Sequence, residues 1–217
     1  MNKGIMEFIE AELPKGGGHG IDHAVRVYKY AKQILNSVVA NEKVVLKAAL
    51  LHDVMDQKLF TDVRVQEVKI SNFLRAEGCS EDELSKIFYL IENTPHSKGV
   101  DLSANLEAQI LADADRLDAL GMIGIIRTIE YATINGRAFV ESEDELDFFI
   151  KIFKQDNFCE IISNLPSRGQ SESVLYHIHR KLLNLPKGFY TDCAKRISEP
   201  LMRSMYEFLE RYYAEKQ

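Results

Sequence analysis

Six short stretches hold the residues whose types and spacing can do chemistry. "GHGIDHAVRV" carries His19 and His23, with Arg26 three residues on. "LLHDVMDQK" sets an adjacent His52–Asp53 pair in an apolar run, followed by Asp56 and Lys58. "TPHSKG" holds His96 just past a helical pattern, and "ILADADRLDALG" holds Asp113, Asp115 and Asp118 among apolar residues. "SVLYHIHRKLLNL" adds His177 and His179. Glycines 121 and 124 interrupt "LGMIGIIRT".

The run "AALL" before His52 puts that turn inside the protein, and Asp115 sits among Leu111, Ala114, Leu117 and Ala119. A buried ionised carboxylate is costly unless it is paired, hydrogen-bonded or metal-bound. Two of them from separate helices repel, and a divalent cation removes both problems at once. Imidazole with carboxylate suits Mn, Fe, Zn, Ni or Co. Adjacent helical residues point about 100° apart, so His52 and Asp53 can both reach one ion in a groove between helices. Plainer readings stand beside this one. His177 and His179 read as satisfied polar residues of a helix. Asp113 and Asp118 read as surface groups or partners of Arg116. His19, four residues before His23 where loose glycine turns helical, reads either as a loop residue or as a metal- or phosphate-side group. Gly121 and Gly124 read as allowing close helix packing, and no GxxxxGK[ST] phosphate loop is present.

The elements that must position these residues are helical. Apolar spacing is mostly three to four, and alternating strand patterns are absent. "HAVRVYKYAKQIL" places Val27, Tyr30, Ala31 and Ile34 on one face. "VVLKAALLHDVM" reads as one buried helix. "RVQEVKISNFLRAEG" stops at Gly78, and "SEDELSKIFYLIEN" opens on Ser80 and acids. The stretch from Asn105 to Gly136 is long and is expected to bend or break near Gly121. "EDELDFFIKIFKQ" and "DCAKRISEPLMRSMYEFLERYY" complete the set, the last kinked at Pro200 unless a helix starts there. The chain reads as one compact all-α domain over residues 1–217, with a helical layer outside it formed by about residues 143–215.

Composition narrows the function. The 217 residues carry 27 Lys and Arg against 33 Asp and Glu, a net charge of -6, which argues against nucleic-acid binding through a basic face. Cys79, Cys159 and Cys193 form no CxxC pair, so neither a disulfide framework nor a structural zinc site is expected, and the compartment reads as reducing and cytoplasmic. "MNKGIMEFIEAELPK" lacks the apolar run of a signal peptide, and no 18-residue apolar stretch is present.

The order H…HD…D, here His23, His52–Asp53 and Asp115, resembles the HD-domain superfamily of metal-dependent phosphohydrolases. "GHGIDHAVRV", "AALLHDVMDQK", "DADRLDALGMIGIIRT" and "HRKLLNL", in that order, resemble its bacterial YpgQ/YedJ-like branch. The resemblance implies an HD helical bundle with its metal-binding core at about residues 16–130. It implies one divalent ion (Mn, Mg, Co, Ni, Fe or Zn) held by His23, His52, Asp53 and Asp115. Asp56 matches the acid that handles the attacking water. Arg26, Lys58, His19 and His96 would face a phosphorylated small molecule, a nucleotide. The implied reaction is hydrolysis of a nucleoside triphosphate to monophosphate and pyrophosphate through a metal-activated water. The alternatives are a nucleoside monophosphate phosphatase or a non-catalytic HD ligand-binding module, and a homodimer is left open. The chain departs from the branch at Leu201–Met202, where an Arg-His pair is usual.

Overall fold

The computed structural model describes residues 3–14, 20–56, 59–93, 101–169 and 172–216, and these contain eleven α-helices and no strand. They form two compact units. The first comprises residues up to Asp118 together with Tyr190–Ala194, and the second Ala119–Phe189 with Lys195 onward.

The first unit contains α1 (Lys3–Glu12), α2 (Ile21–Leu35), α3 (Glu42–Leu51), a 3-10 turn (His52–Met55), α4 (Val63–Ala76), α5 (Glu81–Asn93) and α6 (Leu106–Asp118). Local sequence sets the helix ends. Asn41 accepts from the Val44 amide to cap α3, and Asp62 accepts from the Arg64 and Val65 amides to cap α4. At the end of α4, Gly78 takes a φ of +80°, and the amides of Gly78 and Cys79 bond back to the carbonyls of Arg75 and Leu74, the paired bonds of a Schellman stop. Ser80 and Glu83 then cap α5 reciprocally, each bonded to the other's backbone amide.

Packing follows the apolar stripes. α2 buries His23, Ala24, Val27, Ala31 and Ile34, with Tyr30 half-buried beside them, and it packs on both α3 and α6. α3 buries Val44, Val45, Ala48, Ala49, Leu50 and Leu51 and also rests on α6 and α5. Each fully buried Leu or Ile here contributes about 1.5–3 kcal/mol of hydrophobic stabilisation. α6 is buried nearly all round, and two aspartates are among its buried residues, Asp113 and Asp118.

Two expectations change. The apolar helix ends at Leu51, and His52–Met55 continue as a tighter 3-10 turn, which leaves His52 and Asp53 about 120° apart rather than 100°. The surface reading of Asp113 is also wrong. Asp113 is fully buried and accepts from the Tyr190 amide (3.0 Å) and from the Thr191 amide and hydroxyl (both 2.8 Å). Its other partner is the expected one, Arg116, at 3.5 Å. Burial pushes its carboxyl up, against the pull of those donors and of Arg116. Asp113 therefore ties α6 to the segment opening α11 (Asp192–Lys216), whose Ala194 amide bonds the Thr191 hydroxyl.

The second unit holds α7 (Gly121–Ile134), α8 (Glu143–Phe153), α9 (Phe158–Ser163), α10 (Val174–Arg180), a 3-10 turn (Leu182–Gly188) and α11 from Lys195. The expected break at Gly121 is present: α6 ends at Asp118, and Gly121 opens α7 at φ +67°. A Cβ on Gly121 would lie 3.0 Å from Leu201 Cδ2, and one on Gly124 would lie 2.1 Å from the Ala119 carbonyl oxygen. α11 runs on as one helix through Pro200.

His177 and His179 are satisfied, as their plainer reading holds. His179 stacks on Phe149 at 4.1 Å. Its Nδ1–H donates to the Leu175 carbonyl, so Nε2 accepts from the Tyr213 hydroxyl at 2.9 Å. Burial pushes its pKa down to about 4. Glu172 accepts from the Arg168 amide, His177 and Arg180. Although burial works against its charge, those donors hold its pKa at about 2. The three cysteines are free. No helix among the described residues is long and apolar enough to cross a membrane.

Candidate metal centre

Three elements of the first unit bring the cluster together. α2 supplies His23, the 3-10 turn supplies His52 and Asp53, and α6 supplies Asp115. His23 Nε2 lies 3.1 Å from His52 Nε2, 3.4 Å from Asp53 Oδ2 and 3.4 Å from Asp115 Oδ1. His52 Nε2 lies 3.4 Å from Asp53 Oδ1 and 3.9 Å from Asp115 Oδ1. One atom from each of His23, His52 and Asp115 falls within 4.8 Å of the others, and Asp53 sets one oxygen against each imidazole. His23 and Asp53 are buried, whereas Asp115 keeps about a third of its side chain (35%) in solvent, more than the sequence suggests.

The hydrogen bonds on the far side of each ring decide what these atoms are. His52 Nδ1 is 2.8 Å from the Ala49 carbonyl, which only accepts, so Nδ1 carries the proton. His23 Nδ1 is 2.6 Å from a carboxylate oxygen of Asp118 and also donates. With Nδ1 of each ring engaged from behind, each ring turns its Nε2 inward. Two imidazole nitrogens and the oxygens of two carboxylates face each other across 3–4 Å. A divalent cation would satisfy all four groups at once, and their donor types are those of Mn, Fe, Co, Ni or Zn sites.

Asp118 is the residue that sequence reasoning missed. It is buried rather than a surface group, and it accepts from Arg26 Nε at 2.5 Å and Nη2 at 3.1 Å as well as from His23. The signal was in the spacing. Arg26 follows His23 by three on α2, and Asp118 follows Asp115 by three on α6, so two helices meeting at the first pair meet again one turn on. Arg26, expected to face substrate, is held by this bidentate pair. Burial works against its charge, but the bonds to Asp118 keep its pKa above the usual arginine value. Asp56 ends the 3-10 turn, half-buried, with its amide on the Asp53 carbonyl and its own carbonyl accepting from Leu59 and Phe60. His19, Lys58 and His96 lie outside the described residues.

The geometry defines an all-α protein that gathers a His, His-Asp, Asp cluster from three helical elements of one unit. Comparison gives the family: the HD-domain profile matches residues 20–120, and the chain belongs to the HD superfamily, whose members are in general metal-dependent phosphohydrolases. A mimivirus protein, L803, is 33% identical over 198 residues, covering 80% of this chain and 77% of that one. Bacillus subtilis YpgQ is 25% identical over 200 residues, covering 91% and 84%. Its crystal structure in complex with ADP shares the fold at a TM-score of 0.71 and 23% identity, covering 97% of this chain and 95% of that one. The crystal structure of an HD-superfamily hydrolase from Bacillus thuringiensis matches at a TM-score of 0.69 and 29% identity, over 97% and 94% of the two chains.

Proposed function

We propose that this protein is a divalent-metal-dependent phosphohydrolase that converts nucleoside triphosphates to monophosphate and pyrophosphate. The observation that carries the reading is the inward convergence of two imidazole nitrogens, each ring held from behind through Nδ1, and two carboxylates. The complex of YpgQ with ADP supports a nucleotide as the ligand class.

In this reading His23, His52, Asp53 and Asp115 hold the ion. A divalent cation bound there supplies Lewis acidity, polarising a phosphoryl oxygen and acidifying water. Asp56, immediately after the turn that carries His52 and Asp53, orients the attacking water and takes its proton. The water oxygen bonds to the α-phosphorus as the bond from that phosphorus to the bridging oxygen breaks, and pyrophosphate leaves. Lys58, His19 and His96 balance charge on the phosphate oxygens, since phosphoryl transfer is mostly positioning and charge stabilisation, while Arg26 stays paired with Asp118.

Product chromatography tests this. Purified protein is incubated with nucleoside mono-, di- and triphosphates plus Mn²⁺, Mg²⁺, Co²⁺ or chelator, beside Asp53→Ala. Metal-dependent monophosphate and pyrophosphate, absent in the variant, are expected. Orthophosphate and nucleoside from monophosphates would replace the reading with a phosphatase. Binding of nucleotide without turnover would leave a ligand-binding module.

A further inference from the structure

We propose that Asp118 is the positioning residue of this centre, holding both His23 and Arg26 in register through one buried carboxylate. The inference rests on reading the cluster as a cation site. α2 and α6 meet along two rungs one turn apart. On the first, His23 Nε2 faces Asp115 Oδ1 at 3.4 Å. On the second, Arg26 forks onto Asp118, Nε to Oδ1 and Nη2 to Oδ2. A diagonal joins them, from His23 Nδ1 to Asp118 Oδ2 at 2.6 Å. The two carboxylates of α6 thus engage opposite nitrogens of one imidazole. Because Nδ1 and Nε2 point to different sides of the ring, Asp118 sits away from the converging atoms and acts on them only through His23.

Three N–H groups converge on this one carboxylate, which suits a group with acceptors alone. An amide in its place offers one acceptor oxygen and a donating NH₂, so at least one of the three donors must face a donor. Either the Arg26 fork opens, or His23 turns to the tautomer that carries its proton on Nε2 and loses the inward lone pair. The same replacement therefore weakens cation binding and releases Arg26. Partners that fix a ligand's ring in this way typically alter metal affinity by about 10–100-fold.

Asp113 provides the control. It is equally buried on the same helix and equally rich in donors, but its partners are the Tyr190–Thr191 segment and Arg116, not a cluster residue. Co²⁺ affinity by calorimetry, the visible spectrum of the Co²⁺-loaded protein and thermal melting in chelator would be measured on the full chain, Asp118→Asn and Asp113→Asn. Asp118→Asn should bind Co²⁺ at least tenfold more weakly with an altered spectrum. Asp113→Asn should melt lower yet bind Co²⁺ within about threefold of the parent. If Asp118→Asn does not fold, Asp118→Glu, which keeps the charge but shifts the oxygens by a methylene, gives the same comparison. Unchanged affinity and spectrum in the Asp118 variant, or an equal loss in Asp113→Asn, overturns the proposal and leaves the metal reading standing. No Co²⁺ binding by the parent overturns both. A Co²⁺ effect in a protein that hydrolyses no nucleotide supports the role of Asp118 and removes only the catalytic reading.

Discussion

Replacing Asp115 with Asn should make the cation-free protein more stable while abolishing its response to cation. Asp53 and Asp115 each place an oxygen 3.4 Å from the same His23 nitrogen. Those oxygens are therefore less than about 7 Å apart, and at about 6 Å with an effective dielectric near 20 Coulomb's law gives about 3 kcal/mol of repulsion. The solvent still reaching 35% of the Asp115 side chain screens this, to about 1 kcal/mol. For a chain of this length that is a rise of about 2–4 °C in Tm at pH 8 in chelator. With 1 mM Mn²⁺ the order should reverse. An ion present at about 100 times its Kd adds about 2.7 kcal/mol to the parent, and the variant, short of one ligand, gains much less. Differential scanning fluorimetry of both proteins, in chelator and in Mn²⁺, reads both halves. A variant that melts below the parent in chelator, or gains as much from Mn²⁺, would refute the view that these carboxylates are held together for a cation.

Three further outcomes are expected. His52→Ala should lose most of its metal on purification and also be less stable in chelator by about 1–3 kcal/mol, from the lost contacts and the bond to Ala49; unaltered metal content by elemental analysis would remove His52 from the ligand set. Stability should fall as pH drops from 6.5 toward 4, because unfolded His179 takes up a proton that the buried, Tyr213-bonded ring refuses until about 4. Between 4.5 and 2 Glu172 adds a second loss, its carboxylate staying ionised in the fold to about 2; each shift corresponds to about 3 kcal/mol, and urea midpoints that stay flat from pH 7 to 4 would contradict the His179 assignment. Gly124→Ala should cost about 2–3 kcal/mol, since its Cβ would collide with the Ala119 carbonyl, and a urea midpoint equal to the parent's would show that the turn shifts freely.

Much of the first unit was legible because its signals are local. The Schellman stop at Gly78, the Ser80–Glu83 cap and the break at Gly121 each depend on residues within five positions of one another. His52, Asp53 and Asp115 stood out for a different local reason, polar side chains in apolar helical runs where burial demands compensation, and the resemblance to the HD family added His23. The shift from α-helix to 3-10 turn at His52 carried no such signal, since "LLHDVM" suits either winding, and the packing of α4 and α5 against that turn is not a property of the six residues.

By itself the sequence determined the helical class, most helix ends and that His52, Asp53 and Asp115 had to find a partner, because helix periodicity, capping and the cost of burying charge act over a few residues. Which partner each one found was decided only in three dimensions. Asp113, Asp115 and Asp118 share one helix and look alike in "DADRLD", yet one ties down Thr191, one faces the imidazoles and one grips His23 and Arg26. Those partners lie 63 to 95 positions away along the chain, and only the packing of α2, α3 and the Tyr190–Ala194 segment against α6 assigns a different neighbour to each turn of the helix.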